Sequence, residues 1–285
     1  METSGLARRQ ASRFVAGETL EDALRAGARI NSEGITLTLD HLGESVTSLA
    51  EAALARDTYI RTLSAIHDHD IRGNVSLKLT QFGLDLSPKE CRDNVAQLAA
   101  LAARMGNFIR IDMESSAYVD RTLDLVEDLH AQYGSVGTVI QAYLYRSRKD
   151  VERLSAKRIR IRLVKGAYLE PHGVAFPRKA EVDRNFIELT QLLLDRGEYP
   201  AIATHDEKII SATKAYAARR GIGTDRFEFQ MLYGIRRDLQ RLLVAEGYRL
   251  RLYVPFGKAW YPYFMRRLAE RPANIFFVAR HIFRQ

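Results

Sequence analysis

The stretch Phe108–Gln132, which reads FIRIDMESSAYVDRTLDLVEDLHAQ, contains one complete unit of the predicted fold. Its first part, Phe108–Met113, is short and largely apolar, which is typical of a buried β-strand. Its second part, Tyr118–Gln132, repeats apolar residues at helical spacing. A strand that leads directly into a helix is the unit from which parallel sheets are built.

The same unit recurs along the chain. The β-rich runs are Ile35–Leu39, Val75–Leu79, Phe108–Met113, Thr138–Tyr143, Ile159–Val164, Ala201–Thr204, Phe227–Leu232 and Arg249–Val254. Helical periodicity follows these runs, for example in Pro88–Arg104 and Glu207–Arg220. Alternating units of this number predict an α/β fold, a closed (βα)8 barrel of the TIM type; an open, doubly wound sheet is the alternative. A length of 285 residues with 46% hydrophobic content fits one such barrel.

The two ends of the chain are expected to depart from this repeat. We expect residues 1–33 to form an extra N-terminal helical segment and residues 34–285 to form the barrel as one catalytic domain. After the last run, the sequence WYPYFMRRLAERPANIFF begins at Trp260. Its central part, Tyr261–Glu270, has helical character, and Pro272 stops it. We expect this last helix to fold over the C-terminal mouth of the barrel.

The net charge of +8, from 43 basic and 35 acidic residues, limits the class of partner. Basic and acidic residues are interleaved, so an anionic small molecule or lipid surface is favoured over nucleic acid. The single cysteine, Cys91, cannot form an internal disulfide, which suits a reducing compartment. The sequence contains neither an apolar run of membrane-spanning length nor the apolar centre of a secretory signal. We therefore expect a cytoplasmic protein.

Polar residues stand at the end of nearly every predicted strand, and active sites of (βα)8 barrels lie at this C-terminal rim. In chain order they are Lys78, Asp112, Glu114, Gln141, Arg162, Lys165, Thr204, His205, Asp206, Gln230 and Tyr253. The set is net cationic, which predicts an anionic ligand. Alternatively, each residue only caps a helix or forms a surface ion pair, an interpretation that suits Asp206 best.

Arg162 and Lys165 impose a geometric condition on the site. Arg162 lies within an apolar strand and needs an anionic or hydrogen-bonding partner. An offset of three residues points two strand side chains to opposite faces, so both can reach one site only if the chain bends at Gly166. The sequence has no GxGxxG, Walker or HExxH pattern, and HDHD at His67–Asp70 precedes a strand on the opposite rim. We therefore predict no metal site.

The adjacent Arg266 and Arg267 allow two interpretations. Glu270 lies three or four residues further on, so either arginine could pair with it on a solvated helix. Alternatively, the two guanidinium groups clamp a carboxylate. The aromatic wall beside such a clamp would be Trp260, Tyr261, Tyr263 and Phe264.

Together these motifs resemble those of the proline dehydrogenase family, which includes bacterial single-function enzymes and one domain of bifunctional proline-utilisation proteins. The motifs are SLKLT, RIDME, QAY, RLVKGAY, ATHD, FEFQMLYG, RLYVPFG and YFMRRLAE, in family order and spacing. The sequence before the second strand matches weakly. The resemblance implies oxidation of L-proline to Δ1-pyrroline-5-carboxylate by FAD, the first step of proline degradation to glutamate. It also implies reoxidation by a membrane quinone, and hence peripheral contact with the inner face of the membrane.

The resemblance further implies roles for single residues at the substrate. Arg266 and Arg267, with Lys78, would bind the proline carboxylate. Tyr168 and Tyr253 would pack around the proline ring. The substrate amine must lose its proton before a hydride can leave the adjacent carbon, and no residue is an obvious dedicated base. We therefore predict that activity rises with pH.

At the cofactor, the resemblance implies two catalytic residues. Arg162 would lie beside flavin N5, where negative charge develops, and Asp112 would organise the site by pairing with Lys78 or Arg267. The residues that would hold FAD are Met113, Gln141, Arg162, Lys165, Gly166, Ala167, Thr204, His205 and Glu270, the last by orienting the arginine helix. The family pattern leads us to expect an amide-bearing residue after His205, whereas Asp206 stands there.

Two other functions remain open at this point. One is a Schiff-base aldolase that uses Lys165, since such enzymes also occur on barrels. The other is a basic protein that binds nucleic acid or a membrane without catalysis. If the family resemblance holds, the sequence contains no aldehyde dehydrogenase half, so a separate Δ1-pyrroline-5-carboxylate dehydrogenase is the expected partner for the second oxidation.

Overall fold

The computed structural model describes residues 11–43 and 45–269, the last four of these by their backbone alone. Parallel strands close into a barrel in which each strand pairs with the next and β8 pairs with β1. The strands are β1 Thr36–His41, β2 Gly73–Leu77, β3 Ile109–Ile111, β4 Val136–Gln141, β5 Ile161–Val164, β6 Ala201–Ala203, β7 Glu228–Leu232 and β8 Leu250–Phe256. The predicted barrel is confirmed, with strand ends that differ by at most two residues, and the open-sheet alternative is wrong.

Helices alternate with these strands as predicted. They are α1 Leu20–Ser32, α2 Leu49–Asp68, α3 Pro88–Arg104, α4 Val119–Tyr133, α5 Ser147–Ala156, α6 Lys179–Arg196, α7 Glu207–Arg219, α8 Arg237–Ala245 and α9 Trp260–Ala269. The start of α3 shows why the helix was predictable from the sequence. The Ser87 side chain caps it by accepting from the N–H of Glu90, and Pro88 occupies the first turn. None of the described helices is long and apolar enough to cross a bilayer.

The N-terminal region differs in part from the prediction of a helix over the first thirty residues. Within the described residues, α1 begins only at Leu20, where Thr19 and Asp22 form a capping box. The chain before it turns, and Gly17 has a φ of 145°, which a helix does not allow. Residues 1–10 lie outside the described residues. Helix α1 packs on β1 and β8, where it closes the ring of helices outside the barrel.

The two faces of the strands are unlike. The outward side chains, such as Leu37, Val75 and Ile111, pack with the helices in one apolar core. The inward side chains are largely polar or charged, although we expected strands that are apolar for most of their length. They include Thr38, Asp40, Asn74, Ser76, Arg110, Asp112, Arg162, Glu228, Gln230 and Arg251, all but the last buried. Most of them form hydrogen bonds with one another across the barrel.

Candidate active site

A cavity of about 540 Å³ opens at the C-terminal mouth of the barrel. Glu114, one of the polar residues of the predicted rim, does not line it. The cavity is lined by every residue before α9 to which the family resemblance assigned a role. These are Lys78, Asp112, Met113, Gln141, Arg162, Lys165, Gly166, Ala167, Tyr168, Thr204, His205 and Tyr253. The structure thus brings these residues together, and their individual roles stay predictions.

Arg162 is held at the floor of this cavity from three sides. Its Nε donates to Gln230 Oε1 at 2.6 Å, its Nη1 to Asp112 Oδ1 at 2.7 Å, and its Nη2 to Ser76 Oγ at 3.3 Å. The guanidinium also lies 5.1 Å from the centre of the Tyr253 ring. A guanidinium has five N–H groups, so two remain that no hydrogen bond within the described chain uses. The side chain is rigid, cationic and still able to donate to a ligand.

Asp112 forms an ion pair with Arg162, a partner that the sequence analysis did not name. The pair with Lys78 or Arg267 stays a prediction, because the side chain of Arg267 lies outside the described part of the structure. The carboxylate of Asp112 also accepts from Ser76 Oγ at 2.7 Å and from the Tyr253 hydroxyl at 2.8 Å. Burial, and then the negative charge of Asp112, raise the pKa of Tyr253 well above its usual value, so the phenol keeps the proton that it donates.

Lys165 points away from Arg162 toward two carboxylates. Its Nζ lies 2.5 Å from Asp183 on α6 and 2.9 Å from Asp206. Burial acts to lower the pKa of Lys165, but hydrogen bonds and charge from both carboxylates outweigh it, and the pKa is raised. A Schiff-base lysine needs a lowered pKa in order to attack as a free amine, so this environment argues against the aldolase interpretation.

The bend expected at Gly166 is present. Gly166 has a φ of 126°, and a Cβ there would lie 2.5 Å from the ring of Tyr143. Both the backbone conformation and the neighbouring ring therefore favour glycine at this position. The bend lets Arg162 and Lys165 line one cavity although they belong to opposite faces of β5.

The ATHD motif forms one wall of the cavity and starts a helix. Asp206 caps α7 by accepting from the N–H of Lys208 at 3.1 Å, as its sequence position suggested. Thr204 Oγ1 accepts from the N–H of Asp206 at 3.1 Å. His205 Nε2 accepts from the N–H of Leu232 at 3.0 Å, so this nitrogen carries no proton. The two carboxylate oxygens of Asp206 thus accept from different groups, Oδ1 from the first turn of α7 and Oδ2 from Lys165.

The sequence analysis missed one polar residue that lines the cavity, Asp40. Asp40, at the end of β1, is buried and lies 3.6 Å from Lys78 Nζ. The hydroxyl of Tyr59 on α2 lies 3.4 Å from the same carboxylate. Tyr263 also lines the cavity, which places α9 at the mouth of the barrel. Asp40 could have been found as the polar residue that directly follows the first apolar run.

The aromatic residues of α9 are only partly a wall of the site. Trp260, Tyr263 and Phe264 are buried in a small cluster with Ala11, Val15 and Leu42, separate from the main core. Their main effect is therefore to fasten α9 to the N-terminal segment and to the end of β1. Arg266 and Arg267 belong to α9, but their side chains lie outside the described part of the structure, and so does Glu270.

No group of three or more potential metal ligands occurs among the described residues. The HDHD sequence lies at the end of α2 and before β2, at the opposite end of the barrel from the cavity.

Comparison with known proteins gives a consistent result. The family model described as proline dehydrogenase matches residues 23–280. The proline dehydrogenase of Deinococcus radiodurans is 46% identical over 275 residues, which cover 95% of this chain and 89% of that protein. Proline dehydrogenase 2 of Bacillus subtilis is 43% identical over 267 residues, with coverage of 94% and 88%. Among solved structures, proline utilization A from Bdellovibrio bacteriovorus, inactivated by N-propargylglycine, superimposes with a TM-score of 0.85 at 28% identity, covering 90% of this chain and 32% of that one.

Proposed function

The chain belongs to the proline dehydrogenase family, and we propose that it oxidises L-proline to Δ1-pyrroline-5-carboxylate with FAD as its bound electron acceptor. The observation that carries the proposal is the state of Arg162: a buried guanidinium fixed by three partners, with two N–H groups left for a ligand at the cavity floor. Such a preset donor favours whatever negative charge develops beside it.

The cavity residues fit a flavin. A volume of about 540 Å³ lies within the range of cofactor and ligand sites. Its walls combine apolar side chains, which suit the faces of a flat ring, with a few polar groups that can meet the ring edge. The apolar walls include Met113, Val139, Val164, Ala203 and Met231, and the polar groups include Gln141, Thr204 and His205.

FAD, when bound, would accept the hydride that leaves the ring carbon beside the proline nitrogen. Arg162 would stabilise the negative charge that the accepted hydride brings, while its ion pair with Asp112 would hold the guanidinium in place. Lys165 would hold the wall of the cofactor site through its bonds to Asp183 and Asp206. The cofactor residues are proposed as predicted above, with Glu270 as the one that orients α9.

At the substrate, Lys78, Arg266 and Arg267 would bind the carboxylate, because cations at the mouth meet an anionic group with charge-assisted hydrogen bonds. Tyr253 and Tyr168 would pack on the ring. The reactive form of proline has a neutral amine, so we expect the rate to rise with pH as the amine loses its proton. A rate that stays flat from acidic to alkaline pH would contradict this order of events.

The fate of the electrons and of the product is part of the proposal. A membrane quinone would reoxidise the flavin, which requires a cytoplasmic protein that contacts the inner face of the membrane. The product would pass to a Δ1-pyrroline-5-carboxylate dehydrogenase. The proposal does not involve nucleic acid.

The absorption spectrum of the purified protein tests the proposal. We expect flavin bands that bleach when L-proline is added without oxygen and return when a soluble quinone follows. A colourless protein that borohydride links to a carbonyl substrate at Lys165 would establish the aldolase instead. A colourless protein whose binding to DNA or vesicles weakens steeply with salt would establish the binding protein.

A further inference from the structure

The side-chain amide of Gln230 connects Arg162 to a second buried ion pair below the cavity. Gln230 lies on β7 and is only 3% exposed. Its Oε1 accepts from Arg162 Nε at 2.6 Å, and its Nε2 donates to the carboxylate of Glu228. The amide thus stands between a group that can only donate and a group that can only accept.

Only one orientation of the Gln230 amide satisfies both neighbours. If the amide turned over, its NH₂ would face the N–H of Arg162 and its oxygen would face the carboxylate of Glu228. Each contact would then be repulsive, in a place where water does not compensate an unpaired polar group. The charge of Glu228 therefore fixes which end of Gln230 meets Arg162.

Glu228 is itself anchored. Arg251 Nε donates to its carboxylate at 2.8 Å, and Arg251 Nη1 donates to the backbone oxygen of Leu37 at 2.9 Å and to Asn74 Oδ1 at 3.0 Å. Burial acts to raise the pKa of Glu228, but the charge of Arg251 and the hydrogen bonds from Arg251 and Gln230 outweigh it, and the pKa is lowered. The carboxylate is therefore ionised at neutral pH and accepts from both neighbours.

We propose that Gln230 is a positioning residue for Arg162 and that Glu228 acts through Gln230 by setting the direction of its amide. The inference rests on the proposed function, because it assigns Arg162 to the developing negative charge. Ser76 and Asp112 hold the two Nη atoms of Arg162, whereas Gln230 is the partner of Nε. Loss of the Gln230 contact would let the guanidinium turn in its plane and would misdirect the two N–H groups that remain for the ligand.

The first variant to test is Gln230→Met, which keeps the length of the side chain and removes its polarity. We expect kcat to fall about tenfold or more, the effect of one buried hydrogen bond of about 1.4 kcal/mol, while KM for proline changes less than about threefold. The flavin midpoint potential should shift to a more negative value, because a misdirected cation favours the reduced flavin less. A purely structural role of Gln230 would lower thermal stability and leave the potential unchanged.

A matched control is Gln240→Met. Gln240 is also a buried glutamine, 5% exposed, but it does not line the cavity, and its amide donates to the backbone oxygens of Leu232 and Ile235. This variant should lose stability and keep both kcat and the potential. If Gln230→Met does not fold, Gln230→Asn is the second variant. It keeps the amide but shortens the side chain by one methylene, and it should lower kcat and the midpoint potential by smaller amounts.

The role of Glu228 is tested by a double-mutant cycle. In Glu228→Gln, the new amide can donate to or accept from Gln230, so it no longer fixes the orientation of the Gln230 amide, and kcat should fall. When Gln230 is already methionine, adding Glu228→Gln should cause no further fall in kcat. If Glu228 acted by its charge alone, Glu228→Gln would raise the potential in both backgrounds and spare kcat.

The outcomes separate the two levels of the proposal. Wild-type protein without flavin, or with flavin that proline does not reduce, overturns the proposed function. Wild-type protein that oxidises proline, together with a Gln230→Met variant whose kcat and potential match those of Gln240→Met, overturns the positioning role alone.

Discussion

The inward and outward faces of the same strands exclude water equally but are held together by different forces. On β5, Arg162 is 4% exposed and its neighbour Leu163 is 0% exposed. Leu163 faces the helices and is stabilised by the apolar surface it removes from water, a force without direction. Arg162 faces the interior, where each donor needs an acceptor at a fixed distance and angle. The outward face of the strands therefore stabilises the fold, and the inward face fixes the positions of the polar groups.

The polar interior of the barrel also has an energetic cost, which is clearest at Arg110. Arg110 on β3 is fully buried, and its Nε has no hydrogen-bond partner, although its Nη1 donates to the backbone oxygen of Thr138 at 2.9 Å. Burial, and then repulsion by Arg162, lower the pKa of Arg110 well below its usual value. Apolar side chains of similar volume would fill such a space without this cost. The charged interior is therefore better explained by what it does for the cavity than by stability.

The largest effect should come from Arg162→Met, which removes the central cation of the interior. We expect kcat to fall about 10²–10³-fold, as for other preset charge-stabilising donors, and the free energy of unfolding to fall by about 3–5 kcal/mol because Asp112 is left buried without its counter-ion. Denaturant unfolding and steady-state kinetics measure both. Adding Asp112→Asn should restore stability without restoring kcat, and recovery of activity would contradict our assignment of Arg162.

Leu163→Ala is the matched change on the outer face of the same strand. We expect the free energy of unfolding to fall by about 2–5 kcal/mol, since a large buried side chain is cut back and leaves a cavity. The kcat of the flavin-loaded, folded enzyme should stay within about twofold of wild type. If kcat fell as far as in Arg162→Met, the division of labour between the two faces would be wrong.

The apolar outer face of the strands was predictable from the sequence. The hydrogen-bond partners of the inward side chains were not. The strands and the rim positions follow from local patterns, and the carboxyl ends of parallel strands must meet at one mouth. The partners of Arg162 come from β2, β3 and β7, at separations of 86, 50 and 68 residues. Which inward residues meet across a barrel depends on its stagger, and no local pattern gives it. The pair of Asp112 with Arg162 was not predicted for this reason.

Smaller errors had local causes. Asp40 was missed because the first strand was predicted to end at Leu39, whereas the structure continues it to His41. The contact of the Tyr143 ring with Gly166 was not predicted, because a local sequence pattern does not show which distant side chain packs there. Helix α1 was predictable because its sequence pattern is local. Its contact with β8 was not, because the two elements lie far apart in the sequence.

The arginines of α9 extend the comparison from the floor of the cavity to its mouth. Arg162 is fixed before any ligand arrives, whereas we assign Arg266 and Arg267 to the substrate carboxylate itself. We expect Arg267→Met to raise KM for proline about ten- to 150-fold, because it removes a charge-assisted contact of about 1.5–3 kcal/mol, and Arg266→Met to act alike. Arg241→Met, at an exposed arginine of α8, is the control and should leave KM unchanged. A KM within twofold of wild type in either α9 variant would contradict the clamp.

The smallest effect is expected where the interior meets water, at the ion pair of Lys165 and Asp206, whose side chains are 29% and 25% exposed. Asp206→Asn keeps a good helix cap and removes the charge, so the free energy of unfolding should fall by no more than about 1 kcal/mol at neutral pH.

The dependence of this small loss on pH identifies its origin. Burial acts to raise the pKa of Asp206, but the hydrogen bond and charge of Lys165 and the N–H of Lys208 outweigh it and lower the pKa from 3.8. A carboxyl group with a lowered folded pKa stabilises the protein above its unfolded value and loses that contribution as pH falls through the folded value. Urea unfolding of wild type and Asp206→Asn should therefore differ at neutral pH and converge as the pH falls from 3.8 through the lower pKa of folded Asp206. A loss that is equal at every pH would assign the effect to the cap of α7, and the ion pair at the mouth would then contribute nothing measurable.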